Sequence, residues 1–543
     1  MYDLLITNAR ILDGTGSPWF WGDLATQGDT IVAMGTLAGS AAQRVINADG
    51  RILTPGFIDM HTHSDLQPLD NPLHECKIRQ GVTTDVIGHD GLGLAPVTPA
   101  TARMLQDQLA GWNGRPNVDW DWSTITTYLD RFDGHVAVNV AMLAPHGTLR
   151  MAVMGMENRA PTVDEMDEIK RLLDQCMREG AVGLSTGLTY APCSFATDAE
   201  MVELCKVLRP YGGFYAPHHR NYGMSALQAY VDSVEIARQA GIPIHLTHCH
   251  FGFPVNRNRA HELLAVFDAA RHDGIEVTLD TYPYLAGSTY LHSALPAWMN
   301  DGGAEAILAR LQNPDLLPRI QHEMEVTGSD GFHDVPLGWE MLQISGIEGN
   351  PDPSLIGLHL DEAAARAGKT PFNFFVDLLV ETRLGVTILA HIGNEENVQA
   401  ILQHPAHVVG SDGIIVGARP HPRGWGSHVR FLSHYVRDLG LLTWEEGIRH
   451  MTSATARRLG ALDRGLLRPG AKADLVLFDP DTLQDTATYE NPRSYPVGIH
   501  YVATNGRLVI DDNQVTGETP GRALRAPHGR QPVRITGPLL VQQ

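Results

Sequence analysis

One decapeptide constrains this chain more than any other stretch: Thr54-Pro55-Gly56-Phe57-Ile58-Asp59-Met60-His61-Thr62-His63. A short apolar run closes on two histidines at i and i+2, a spacing that turns both side chains of an extended segment to one side. Two imidazoles so placed can bind one ion. His-x-His alone is a weak signal, and His248-Cys249-His250 is a second instance. The weight comes from where the first one falls, at a change in the character of the chain.

Before it, the short apolar runs Leu4-Leu5-Ile6, Ile31-Val32-Ala33-Met34 and Val45-Ile46, set between glycine-rich turns, predict a small antiparallel sheet. After it, apolar runs alternate with helix-period stretches. The runs include Val136–Val140, Ala181–Leu184, Ile244–Leu246, Val277–Leu279 and Val386–Leu389; the helical stretches include Thr162–Glu179 and Ser225–Ala240. Strands buried on both faces and separated by amphipathic helices predict an α/β protein with a parallel sheet, and their number predicts a closed (β/α)₈ TIM-like barrel. Short strands return after about Leu459, in Asp474–Phe478 and Tyr501–Ala503. The simplest organisation has one small β-sandwich domain built from both ends of the chain (1–54 and 461–543, the latter with a C-terminal tail). A barrel over 55–460 is set between them. A stretch from about 285 to 349 fits no βα unit and is expected as an insertion on the catalytic face.

Four further predicted strand ends carry ligand-type residues. Val82–Ile87 leads to His89 and Asp90, Gly213–Ala216 to His218 and His219, Ile244–Thr247 to His248, and Val408–Ser411 to Asp412. In a barrel all such ends converge on one face, where active sites of that fold lie. With His61 and His63 they form a set for one or two divalent ions; zinc fits best, with manganese, cobalt or iron left open. Such an ion acidifies water towards neutral pH and polarises a carbonyl. A carboxylate left unpaired beside it, assigned to Asp412, takes the proton of the attacking water and delivers it to the leaving nitrogen.

Other classes are excluded by composition. The 543 residues carry 41 Lys and Arg against 62 Asp and Glu, a formal charge of −21, which repels nucleic-acid backbones and anionic lipid. No apolar run approaches the length of a membrane span, and the N-terminus lacks the pattern of a signal peptide. Five cysteines without a Cys-x-x-Cys pair match a reduced, cytoplasmic setting. The partner expected is a small-molecule substrate, with a homo-oligomer left open.

Nearly end to end, the sequence resembles the N-acyl-D-amino-acid deacylases (D-aminoacylases) of the amidohydrolase superfamily. Pro55–His63 is common to the superfamily. Gly81–Thr84, Gly183–Leu188, Asp280–Tyr284, Gly410–Gly413 and His421–Gly424 are particular to the branch, and Asp463–Gly465, Pro469-Gly470, Ala473–Val476 and Asn505-Gly506 extend the likeness into the tail. The resemblance implies a zinc-dependent hydrolase of carbon–nitrogen bonds other than peptide bonds. It implies His61, His63, Asp90, His218, His248 and Asp412 as metal ligands, His218 rather than His219 and His248 rather than His250. Arg423 falls where the family grips the substrate carboxylate, a bidentate role suited to guanidinium. Tyr190, Tyr282 and His250 fall in pocket-lining segments.

Two departures stand out. Asp90 replaces the family's cysteine, oxygen for sulfur making a harder site, and His250 replaces a lysine that helps to hold the substrate carboxylate. The five lysines (Lys77, Lys170, Lys206, Lys369 and Lys472) all fall in helical stretches or turns, so none is expected to bridge two metals as a carbamate. Two other readings compete with N-acyl-D-amino acid hydrolysis: a hydrolase of cyclic amides or imides on the same scaffold, and a catalytically silent relative that binds a ligand.

Overall fold

The computed structural model describes residues 1–37, 39–348 and 352–526; the last part of the expected second terminal segment, 527–543, and the expected insertion end at 349 lie outside them. The chain is mixed α/β. Its first strands are β1 (Tyr2–Ile11), β2 (Phe20–Gln27), β3 (Thr30–Gly35), β4 (Ala42–Asn47) and β5 (Ile52–Pro55). The antiparallel expectation holds for β1–β2–β3, but β4 and β5 both run parallel to β1. Alternating side chains mark a strand; they do not say which way its neighbour runs.

A parallel ladder follows. Its strands are β6 (Phe57–Asp59), β7 (Val82–Ile87), β8 (Asn139–Met142), β9 (Ala144–Pro145), β10 (Gly183–Gly187), β11 (Phe214–His218), β12 (Ile244–Leu246) and β13 (Val277–Thr281). β6–β7–β8 form one sheet, and β9 to β13 belong to another. Leu143, between β8 and β9, donates its N–H to Ile87 O at 3.0 Å, and Val182 donates to Met142 O at 2.9 Å, so the two sheets adjoin. Nearly every residue of these strands is buried, as continuous apolar runs require when helices cover the outer face.

The chain next builds β14 (Ala286–Tyr290), β15 (Leu342–Ile347) and β16 (Val386–His391), a separate three-stranded antiparallel sheet in the order β14-β16-β15. The run Val386–Leu389, expected among the parallel strands, therefore lies in this antiparallel sheet. A short run buried on both faces reads alike in either setting. β17 (His407–Val409) returns to the parallel ladder beside β13. Met60 then donates its N–H to Val409 O at 3.1 Å, and Asp412 to His61 O at 2.7 Å, which sets the last parallel strand against the first.

The final strands are β18 (Leu475–Phe478), β19 (Ile499–Thr504), β20 (Arg507–Asp511) and β21 (Gln514–Val515). β18 pairs antiparallel with β5, so both ends of the chain share one nine-stranded sheet. Beyond it the chain crosses back to β8, where Val140 N–H bonds to Arg522 O at 2.9 Å and Leu524 N–H to Val140 O at 2.7 Å.

Several helices start on a side-chain cap. Helix Val163–Arg178 opens on a capping box, in which Glu165 N–H bonds Thr162 Oγ1 (3.3 Å) and Thr162 N–H bonds Glu165 Oε2 (2.7 Å). Its buried Ile169, Leu173, Cys176 and Met177 share one stripe. Thr162→Ala is expected to cost about 1 kcal/mol, read as a lower urea midpoint with activity unchanged; an unmoved midpoint would show that the cap contributes nothing.

Candidate active site

Parallel strands put all their C-terminal ends on one side, and the candidate residues sit at those ends. His61 and His63 follow β6, Asp90 follows β7, His218 ends β11, His248 follows β12 and Asp412 follows β17. Asp90 (φ 55°), His248 (φ 30°) and Asp412 (φ 49°) turn off their strands through left-handed backbone. Such strain outside glycine gathers at functional sites, where surrounding structure holds it.

The six side chains meet. One ligand atom from each of His61, His63, Asp90 and Asp412 lies within 4.8 Å of all the others, and Asp90, His218 and His248 form a second such group sharing the same carboxylate. His63 Nε2 is 3.1 Å from Asp412 Oδ1 and 3.5 Å from Asp90 Oδ2. His61 Nε2 is 3.6 Å from Asp412 Oδ1 and 3.8 Å from Asp90 Oδ1. His218 Nδ1 and His248 Nε2 approach Asp90 at 3.6 and 3.5 Å. All six are buried. Both His61 nitrogens and Asp90 Oδ1 are buried without a hydrogen-bond partner. Orphaned lone pairs of imidazole and carboxylate converging on one point are the donor set of a divalent cation, with oxygen and nitrogen but no sulfur.

The charges agree with that reading. Burial opposes ionisation of Asp90 and Asp412, yet the facing histidines hold Asp90 well below the usual carboxylate range, and Arg423 with His61 does the same for Asp412. Burial also works against a charged His63, but the Asp412 and Asp90 carboxylates push it up to about 10. Burial brings His218 down to about 4. Two anions enclosed in this space need positive charge close by.

A surrounding layer fixes the ring orientations. Tyr222 Oη lies 3.0 Å from His248 Nδ1 and Thr189 Oγ1 lies 2.6 Å from His218 Nε2, which turns the opposite nitrogens towards Asp90. Buried Asp280 accepts the His248 N–H on Oδ1 (2.9 Å), while its Oδ2 meets His245 Nε2 at 2.8 Å and lies 3.5 Å from His61 Nδ1. His89 stacks on His61 with ring centroids 3.9 Å apart. Of these supports only His89 was singled out from the sequence, as a ligand-type residue, and it stacks on a ligand ring instead of joining the ligand group. Asp280 carried a signal, since it opens the string Asp280–Tyr284 at a strand end; Tyr222 and Thr189 carried none.

The expected substrate residues line the same cavity. Arg423, Tyr190, Tyr282 and His250 share its wall with His63, Asp90, His218, His248 and Asp412, and Leu285, Phe332, Ile388 and Ile392 supply an apolar side. Arg423 opens the helix Arg423–Arg430, is buried, and lies over the Tyr282 ring at 4.5 Å. Its Nη1 is 2.9 Å from Asp412 Oδ2, close enough for a charge contact but not aligned as a hydrogen bond, and its Nε is also unbonded. Asp412, expected to be unpaired, therefore has a cationic neighbour. That contact joins residues from a strand end and a later helix start, which no local pattern reveals. His250 sits on Thr281 Oγ1 at 2.9 Å and against Tyr282, outside the ligand group. His219 is packed between Tyr222 and Tyr230, away from it.

A constellation of this kind on parallel strand ends defines an α/β protein equipped to hold a catalytic metal. Comparison with known proteins makes the identity specific. Residues 44–510 match the model of the amidohydrolase family. The chain is 36% identical to a D-aminoacylase of Alcaligenes xylosoxydans xylosoxydans over 96% of its own length and 97% of the relative's. It is 34% identical to an N-acyl-D-glutamate deacylase of the same organism, over 96% of each chain. Among solved structures, a D-aminoacylase studied for the role of its binuclear metal centre superposes with a TM-score of 0.82 at 34% identity, covering 97% of this chain and all of that one. The N-acyl-D-glutamate deacylase of Bordetella bronchiseptica, complexed with zinc and a phosphonate mimic of the tetrahedral intermediate, gives a TM-score of 0.81 at 33% identity with the same coverage. The chain belongs to the amidohydrolase family, in the branch of the N-acyl-D-amino-acid deacylases.

Proposed function

We propose that this protein is a zinc-dependent hydrolase that removes the acyl group from N-acyl-D-amino acids. The observation that carries the reading is the convergence of His61, His63, Asp90 and Asp412 at a cavity lined by the last three of them and by Arg423. The zinc and phosphonate bound by the Bordetella relative support it. We also read the parallel ladder as a closed (β/α)₈ barrel over 55–460, with a β-sandwich domain formed, among the described residues, from 1–54 and the segment after 461. The contact between Met60 and Val409 supports closure. The inserted antiparallel sheet supplies Ser288, Ile388 and Ala390 to the cavity, which favours its placement over the catalytic face. No helix among the described residues is long and apolar enough to cross a membrane. The five free, buried cysteines favour a reducing, cytoplasmic setting.

In this reading His61, His63, Asp90, His218, His248 and Asp412 would hold one or two ions, Tyr222 and Thr189 keep the His248 and His218 imidazoles in the tautomer that faces the ion, and Asp280 holds the His248 backbone. Zinc, when bound, acidifies water and polarises the scissile carbonyl. Arg423 takes a substrate carboxylate oxygen on its free Nε–H, and Tyr190, Tyr282 and His250 bound the space around it. Asp412 accepts a proton from the attacking water as its oxygen bonds to the carbonyl carbon. It then returns that proton to the nitrogen as the C–N bond breaks, so a neutral amine leaves. No lysine lines the cavity, which counts against a bridging carbamate and leaves the cyclic-imide alternative without an observation in its favour.

The test is metal quantification on purified protein alongside a panel of N-acyl-D-amino acids, N-acyl-L-amino acids and cyclic imides. Expected are one to two zinc ions per chain, turnover of the D-panel, its loss on chelation and its return with zinc. Metal-free protein that still turns over substrate, or turnover confined to cyclic imides, would overturn the reading.

A further inference from the structure

We infer that Lys77 is a positioning residue for the metal centre, tying together the ligand-bearing segments that follow the first and last parallel strands. The inference rests on the ligand assignment proposed above. Lys77 lies on the short helix Glu75–Ile78 and is wholly buried, one of the largest side chains to be so. Its helical position was legible, but its burial was not. The ammonium has three protons, and each finds an acceptor. One goes to the Asp59 carboxylate, one to Thr62 Oγ1 at 3.0 Å and one to Ser411 Oγ at 3.0 Å.

The three acceptors are not scattered. Thr62 stands between His61 and His63, Ser411 precedes Asp412, and Asp59 is two residues before His61. Asp59 Oδ1 in turn accepts the Ser411 backbone N–H at 2.8 Å and the His61 backbone N–H at 3.3 Å. Ser411 Oγ also accepts the Gly413 N–H at 3.1 Å. One ammonium therefore spans two segments about 350 residues apart in sequence, |i−j| being 334 between Lys77 and Ser411 and 352 between Asp59 and Ser411. Each contact lies one or two residues from a candidate ligand.

Stability alone does not account for this arrangement. A buried ion pair is a weak source of stability, because desolvating both charges offsets most of their attraction, and an apolar side chain of similar length packs as well. What a lysine supplies and a methionine does not is direction, with three donors aimed at fixed oxygens. Metal affinity depends on ligand placement to a fraction of an ångström, so partners outside the ligands themselves typically change it by about 10- to 100-fold.

The experiment compares the full-length protein with two variants by zinc competition against a chromophoric chelator, together with the melting temperature of the metal-free form. Thr62→Val/Ser411→Ala keeps the Lys77–Asp59 ion pair and removes the other two acceptors. Lys77→Met/Asp59→Asn removes both members of the pair, and the Asp85 carboxylate, 3.9 Å from the ammonium, keeps His74 at 3.1 Å. The first variant is expected to bind zinc about 10- to 100-fold more weakly, with a modest fall in metal-free melting temperature from the ammonium protons left without acceptors. The second is expected to weaken zinc at least as much. Unchanged zinc affinity in the first variant overturns the inference, as does a fall in metal-free melting temperature with zinc affinity preserved, since either result leaves Lys77 a structural role only. If the parent protein itself takes up no zinc, the ligand assignment fails before the role of Lys77 is at issue.

Discussion

Asp412→Asn is expected to lower kcat for an N-acyl-D-amino acid by about 10²- to 10⁴-fold, the range that a positioned general acid–base supplies. Asparagine suits the experiment because it changes little else. Asp412 sits at φ 49°, a left-handed conformation that asparagine tolerates and that alanine strains. Its amide oxygen still faces His63 and Arg423, so packing and melting temperature are expected to stay near those of the parent. The substitution removes the carboxylate that accepts a proton from water and returns it to nitrogen, and an amide anion is too basic to leave without that proton. Because Asp412 is also a candidate ligand, zinc content must be measured in the same preparation. Zinc retained with turnover lost separates proton transfer from metal binding. Turnover retained at the parent's rate would remove Asp412 from the role given to it.

Much of this site was legible because strand ends are written locally. A run buried on both faces followed by His, Asp or Gly marks where a parallel strand stops, and the ladder then dictates that such stops meet. His61, His63, Asp90, His218, His248 and Asp412 converge for that reason, and the helix at Val163–Arg178 announces itself through Thr162 and Glu165. What stayed hidden depends on which segments become neighbours. The direction of β4 and β5 against β1 is not encoded in their alternation, and β16 has the same buried apolar character as the parallel strands yet pairs antiparallel with β14 and β15. Lys77 reads as an ordinary helical lysine until Asp59, Thr62 and Ser411 are brought to it. Asp280 reads as a strand-end carboxylate of no stated purpose until His245, His248 and His61 surround it. Each of these is a contact between separate stretches of chain, decided by packing rather than by any period along it.

Arg423 is where recognition of the substrate and the chemistry touch, and Arg423→Ala is expected to divide its effect unequally between substrates. The guanidinium is buried over Tyr282, with Nε and Nη1 free of aligned hydrogen bonds and Nη2 donating to Ser288 O at 3.3 Å. A buried donor left open on a permanent cation, here Nε, matches a carboxylate oxygen. A charge-assisted contact of this kind contributes about 1.5–3 kcal/mol, so KM for a free N-acyl-D-amino acid is expected to rise by roughly one to two orders of magnitude. The corresponding methyl ester carries no such anion and is expected to show a much smaller rise. Arg423 also lies 2.9 Å from Asp412, so its removal alters the field at the proton-transferring carboxylate, and that effect reaches acid and ester alike. The ratio of the two KM changes therefore isolates carboxylate recognition from the shared effect on Asp412. Steady-state kinetics on paired acid and ester substrates provide it. An equal rise for both would show that Arg423 serves Asp412 and that the substrate carboxylate is held elsewhere in the cavity.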